Sequence, residues 1–133
     1  MKVGRTTAYG LMAACYVAVH PEKNIVLSQD ISKEYDIPIE YLLKILQQLV
    51  KGNILRSKRG PRGGFRLARP ANKITMLQII EAVDGPMVSY LNLADYTPRE
   101  KFSTRADKIF SKALSLARDV FQKVKLSDLV EGK

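Results

Sequence analysis

The 133-residue chain contains a single cysteine, Cys15, and a single histidine, His20. One thiol excludes an intramolecular disulfide framework and any all-cysteine metal site. A lone imidazole with no Cys/His cluster around it is read as a helix-end residue rather than a metal ligand. No apolar run approaches the roughly 18 residues of a conventional transmembrane helix, and no membrane partner is expected. The N-terminus lacks the charged, apolar and small-residue layout of a signal peptide, so a cytoplasmic setting is expected. Acidic residues are also scarce, at 13 Asp+Glu against 22 Lys+Arg, a net charge of +9. With 46% hydrophobic residues, the chain has enough apolar content for one compact domain with an appended helix. A small basic protein of this kind points first to nucleic acid.

The scarcity of acid is local. Residues 1–75 carry 13 basic and 5 acidic side chains, whereas residues 76–133 carry 9 and 8. Between Glu40 and Glu81 there is no acid at all, while Lys44, Lys51, Arg56, Lys58, Arg59, Arg62, Arg66, Arg69 and Lys73 fall in that gap. A solvated surface normally mixes both signs, so a single-sign stretch is a field for anions. Guanidinium groups suit bidentate contacts with phosphate and guanine.

The pattern of elements gives that charge a frame. Ala8, Leu11, Met12, Cys15 and Val19 recur at helical spacing and predict a helix over Thr6–Val19, stopped by Pro21. Ser28 is the predicted N-cap of a short helix running to Tyr35, with Asp30 in its first turn. Asp36-Ile37-Pro38 breaks the chain, because the residue before proline is biased away from helical geometry. A further helix starts near Pro38, with Tyr41, Leu42, Ile45, Leu46 and Leu49 as its buried stripe and Gly52 closing it. Two short helices joined by a tight break are a helix-turn-helix candidate, a weak signal alone. Strands over 54–57 and 65–67 then flank a turn rich in glycine and arginine, Lys58 to Gly64. A hairpin directly after a helix-turn-helix is the layout of a winged helix: mainly α with a small β-hairpin. A phosphate-cradling nucleotide loop does not fit, because Gly63-Gly64 precedes a strand and no G-x-x-x-x-G-K-[ST] is present.

Thr75-Met76-Leu77-Gln78 reads as a capping box opening a helix with Leu77, Ile80 and Val83 inward, ended by Gly85-Pro86. A connecting segment, with at most a short helical turn, leads to a long helix starting near Ser103 or Thr104. On it Ala106, Phe110, Ala113, Ala117, Val120 and Val124 form a heptad-like stripe, widened by Ile109 and Leu116, that suits a second helix. An amphipathic helix folding back on its own domain is the alternative. The expected organisation is a DNA-binding domain over 1–86, a connector over 87–103, and a dimerisation helix with its tail over 104–133.

The string Arg59-Gly60-Pro61-Arg62-Gly63-Gly64-Phe65-Arg66-Leu67-Ala68-Arg69-Pro70, continued by Ile74-Thr75-Met76-Leu77 and Glu81-Ala82-Val83-Asp84-Gly85-Pro86, resembles the wing region of the Rrf2 family of bacterial winged-helix regulators. The resemblance implies a homodimer joined by its long C-terminal helices, with each recognition helix in a major groove and each wing near a minor groove. It places Glu40, Tyr41 and Lys44 on the recognition helix. Arg56, Lys58, Arg59, Gly60, Arg62, Gly63, Gly64 and Arg66 fall on the wing, and Lys2, Arg5 and Ser28 at the DNA backbone. Arg62 stands where the family commonly has glycine, and Leu43 where a polar base-reading residue can occur.

Cluster-binding members carry three cysteines in the connector. Here residues 87–103 contain neither cysteine nor histidine, so no iron–sulfur cluster and no other cofactor is expected. Cys15, on an apolar stripe, reads as a packed small hydrophobe rather than a redox switch.

The function expected is a sequence-specific DNA-binding transcriptional regulator. It is read as a repressor acting as a homodimer on a pseudo-palindromic operator in double-stranded DNA. A partner protein or a small-molecule effector would supply its signal. The alternative is an interaction module that takes its signal by holding an enzyme, with DNA binding secondary. A third reading is a sequence-independent nucleic-acid binder. No enzyme is expected, because Glu81, Asp84 and His20 form no acid/base or metal-spaced set.

Overall fold

The computed structural model describes residues 3–60, 63–88 and 92–131. In chain order these form α1 (Arg5–Ala18), α2 (Ser28–Tyr35), α3 (Ile39–Lys51), β1 (Leu55–Lys58) and β2 (Gly64–Leu67). A 3-10 turn (Ala71–Lys73) follows, then α4 (Met76–Asp84), α5 (Leu93–Tyr96), α6 (Lys101–Gln122) and α7 (Leu126–Val130). This is the mainly helical winged helix-turn-helix with one small antiparallel hairpin that the sequence predicts.

Helix α1 is the central post, packed against α3, α4, α7 and β2. Its buried residues include Gly10, Ala13, Ala14, Tyr16 and Val17. The stripe read from periodicity (Ala8, Leu11, Met12, Cys15) is only half-buried, and Val19 is exposed. Size explains the difference. A Cβ on Gly10 would stand 3.0 Å from the methyls of Val83, so α4 crosses where α1 is thinnest and small residues take the innermost face. Cys15 sits at the edge of this core, and burial pushes its thiol pKa up.

Helix α2 starts one residue earlier than expected. Leu27 is its N-cap, and Ser28 is the first helical residue, with no side-chain cap bond. Upstream, Val26 pairs with Phe65 through two backbone hydrogen bonds of 2.8 Å. That keeps the chain extended through Leu27, so the helix starts at Ser28. The turn to α3 is closed by Asp36 in the left-handed region (φ 53°), by Ile37 N–H donating to the Ser32 carbonyl at 3.1 Å, and by the Ser32 hydroxyl donating to the Ile37 carbonyl at 2.6 Å. Aspartate tolerates that backbone better than most residues do. Leu42, Ile45, Leu46 and Leu49 then bury completely, anchoring α3. Tyr41, read as part of that stripe, is not buried; it stays 41% exposed.

The predicted capping box is present: Thr75 Oγ1 accepts from Gln78 N–H at 3.1 Å, and Gln78 Oε1 accepts from Thr75 N–H at 2.9 Å. The C-terminal region departs from expectation. Helix α6 starts at Lys101 and ends at Gln122, and the chain then turns back onto the core. Met76 N–H donates to the Val124 carbonyl and Leu126 N–H to the Ile74 carbonyl, both at 2.8 Å. Leu126 is fully buried, and α7 packs on α1. Val124, read as the last rung of the helical stripe, therefore lies beyond α6 and pairs with the N-terminal half of the chain.

Candidate nucleic-acid interface

The exposed face of α3 carries Glu40, Tyr41 and Lys44. Tyr41 is held in place from α1: its hydroxyl is hydrogen-bonded to Thr6 Oγ1 at 2.7 Å. Its ring meets Tyr9 edge-on at 5.6 Å, the preferred geometry of an aromatic pair. Thr6, Tyr41, Lys44, Ile45 and Gln48 line a cavity of about 170 Å³ at this junction. Arg5 opens α1, whose N-cap Gly4 provides no side-chain bond to the first free N–H groups. Unsatisfied N–H groups at a helix start, with an arginine beside them, suit an anion such as phosphate. Ser28 at the start of α2 is half-buried and likewise adjoins free N–H groups.

The hairpin register is Leu55↔Leu67, Arg56↔Arg66, Ser57↔Phe65 and Lys58↔Gly64. Period-two alternation puts Leu55, Leu67 and Phe65 toward the core and Arg56, Arg66 and Lys58 on the outer side. Two arginines directly opposite one another repel, and such pairs destabilise a sheet. Neither has an acidic partner: the ion pairs among the described residues are Lys23–Asp30 and Arg118–Glu81. The outer face therefore holds unneutralised charge beside a cavity of about 320 Å³ lined by Asn24, Ile25, Arg56, Ser57, Lys58 and Arg66. Arg59 and Gly60 are exposed at the tip. Gly60 adopts φ 106°, and a Cβ on Gly63 would fall 2.2 Å from the Lys58 carbonyl, so both positions require glycine. A Cβ on Gly64 would lie 2.5 Å from the Val26 carbonyl, where the wing joins the strand-like segment before α2. Arg62 and Lys2, both expected at the interface, lie outside the described residues.

One member of the basic stretch has a different role. Arg69 donates to the Asn53 carbonyl at 3.2 Å, the Lys73 carbonyl at 3.0 Å and Gln78 Oε1 at 3.3 Å. It ties the base of the hairpin to α4 and does not belong to the free field. Nothing in the sequence separated it from its neighbours, since its acceptors are mainly backbone carbonyls.

The second exposed surface is α6. Among its residues only Ser103 is buried, while Ile109, Leu116 and Val120 are 68%, 56% and 61% exposed. Phe102 and Phe110 are exposed too, as is Ala113; Ala106 and Ala117 are half-buried. The exposed apolar residues 102, 109, 113, 116 and 120, with the half-buried 106, centre the stripe at spacings of 4, 3, 4, 3 and 4. Ile109 and Leu116 are thus central, with Phe110 and Ala117 on the flank. The opposite face of α6 is polar and engaged. Asp107 accepts from Leu93 N–H at 2.8 Å and Ala94 N–H at 3.1 Å, holding the start of α5. Glu81 of α4 pairs with Arg118 and also accepts from Met87 N–H at 2.7 Å.

No helix among the described residues is long and apolar enough to cross a membrane. Comparison with known proteins agrees with this arrangement. Residues 3–132 match the Rrf2 family, described as an iron-dependent transcriptional regulator. A protein of Mycobacterium tuberculosis named as an HTH-type transcriptional regulator, Rv1287, is 27% identical over 99% of this chain and 83% of its own length. Another of that kind, BadM of Rhodopseudomonas palustris, is 38% identical over 60% of this chain and 51% of its own. In structure, the chain is similar to CymR, the global cysteine regulator of B. subtilis, with TM-score 0.78 and 23% identity over 98% of this chain and 97% of the other. It also resembles the T. potens IscR, with TM-score 0.75 and 22% identity over 98% and 87%. The chain belongs to the Rrf2 family of winged-helix transcriptional regulators.

Proposed function

We propose that the protein is a sequence-specific, cytoplasmic repressor that binds a pseudo-palindromic operator as a homodimer. The observation that carries this reading is the acid-poor surface shared by α3 and the wing, where Arg56 and Arg66 face each other with no anionic partner. Phosphate contacts from Arg5, Arg56, Lys58, Arg59 and Arg66 supply affinity, and side chains of α3 supply sequence selection. Arg62 and Lys2 add to the same field by their place in the sequence. The stripe on α6 joins two copies. A two-fold dimer presents its recognition helices to half-sites one helical turn, about 34–36 Å, or a multiple of it apart.

The protein acts without an iron–sulfur cluster in this reading. Its donor set does not suit one: the connector offers no thiol or imidazole, and Cys15 lies on α1 with its thiol held protonated by burial. Thiolates are the usual ligands of such clusters. Its signal comes from a partner protein or a small molecule.

Selection of bound duplexes from a random pool by the purified protein, followed by footprinting, tests the reading. The expected result is a two-fold symmetric site bound about 10³-fold or more tighter than random duplex. Enrichment of no sequence would reject it.

A further inference from the structure

Helix α6 has a second face besides its apolar stripe. Ser111, Leu114, Ser115 and Arg118 stand at helical positions i, i+3, i+4 and i+7 and so share one side, opposite Ile109 at the centre of the stripe. Together with Met87 and Val88 of the connector they line a groove of about 310 Å³, at the lower end of the size range of small-molecule sites. The groove shares no residue with the basic surface of α3 and the wing or with the stripe of α6.

Its chemistry is uneven. Arg118 lines the groove and no acid does, among the described residues. Arg118 gives Nη1 to Glu81. A guanidinium carries five N–H donors in a planar fork, and its Nε and Nη2 donors meet no protein acceptor among the described residues. Ser111 and Ser115, one turn apart, are exposed. Serine in a helix interior contributes little to the helix, because its hydroxyl competes with the backbone. Leu114, Met87 and Val88 supply an apolar wall. A cationic fork beside a hydroxyl fits one carboxylate, a single cation does not match a polyanion, and the wall fits a short hydrocarbon body. We propose that this groove is an effector site for a small monocarboxylate with an apolar tail, held by Arg118 and Ser115 and packed on Met87, Val88 and Leu114.

The position gives an occupant leverage on DNA binding. Glu81 belongs to α4, and its carboxylate holds both Arg118 of α6 and the Met87 N–H. A carboxylate arriving on Arg118 competes with Glu81 for the same guanidinium, at the joint between α6 and the rest of the chain. Occupancy therefore changes operator affinity, and the operator changes ligand affinity by the same factor. The inference rests on the small-molecule form of the signal proposed above.

The test uses the full-length protein with butanoate, hexanoate and octanoate as probes and hexanamide as the neutral control. Methyl NMR signals of Met87, Val88 and Leu114 report occupancy without DNA. At least one carboxylate should shift them with a Kd below about 1 mM, and hexanamide should bind about ten-fold or more weaker than hexanoate. Ser115→Leu fills the groove from an exposed position away from the stripe; it should fold and dimerise as the wild type does and bind no probe. Arg118→Gln should weaken carboxylate binding about ten-fold or more. In the wild type the bound carboxylate should change affinity for the selected duplex about five-fold or more, and in Ser115→Leu it should not. No methyl shift with any carboxylate, equal binding of hexanamide, or unchanged binding by Ser115→Leu would overturn the site. Binding that leaves operator affinity unchanged would overturn its effector role. Failure to enrich any duplex would reject the operator reading instead, and the titration without DNA does not depend on it.

Discussion

The wing and α6 both leave unfavourable groups in water, but of opposite kinds. On the wing, Arg56 and Arg66 are set against each other with no acid to neutralise them. On α6, Ile109, Leu116 and Val120 are more than half exposed. The first surface is relieved by a polyanion and loses affinity as salt rises. The second is relieved by an apolar partner and responds little to salt. Charge follows the same division, since residues 1–75 hold nearly all of the excess and residues 76–133 are close to neutral. The two surfaces can therefore be attacked independently, and the size and salt dependence of the response identify which one was broken.

The largest effect should come from α6. Placing glutamate at both Ile109 and Leu116 puts charge at the centre of the apolar stripe, where burial would be prohibitive. Light scattering should show a dimer becoming a monomer. Operator affinity should fall by about 100-fold or more, because two linked sites become one. Thermal unfolding of the monomer should change little, since both positions are exposed. A next, smaller effect is expected at the wing. Removing both Arg56 and Arg66 with alanine should weaken binding to all duplexes alike. The slope of log K against log salt should also fall by about one for every phosphate left without its arginine. The dimer should persist.

Arg69 refines the comparison because it lies in the basic stretch and acts structurally. Arg69→Ala removes three hydrogen bonds at the base of the wing and should cost about 1–2 kcal/mol in denaturant unfolding. The salt slope of DNA binding should stay that of the wild type. The smallest effect is expected at Cys15. Its thiol pKa is raised by burial, so the reactive thiolate is suppressed near neutral pH. Thiol reagents should label native protein much more slowly than unfolded protein, and Cys15→Ala should leave operator affinity unchanged.

The N-terminal half was largely legible because its signals are local. The break at Asp36-Ile37-Pro38, Gly52 after α3 and the Thr75–Gln78 box each mark a boundary through one or two residues. Long-range pairing was hidden. The start of α2 is set by the bridge of Val26 to Phe65, 39 positions away, which no local pattern at Ser28 records. The return of the chain after Gln122 was missed for a related reason. Val124 continues the apolar rhythm of α6, and only its pairing beside Ile74 and Met76 shows that it has left the helix. On the candidate interface, sequence placed the basic residues in one field. It could not separate Arg69, bound to carbonyls, from Arg56 and Arg66, bound to no acid. Nor did periodicity decide Tyr41, which fits a buried stripe and is instead held at the surface by Thr6.

If one surface holds DNA while the other holds a second copy of the chain, the two must act together on a single duplex. Sedimentation of the full-length protein with its selected duplex measures this, run for the wild type and for the double variant Ile109→Glu, Leu116→Glu. Two wild-type protomers should sit on each duplex, and the variant should show at most weak binding of single protomers. A wild-type complex of one protomer per duplex, with the variant binding as tightly, would refute the division of roles between the wing and α6.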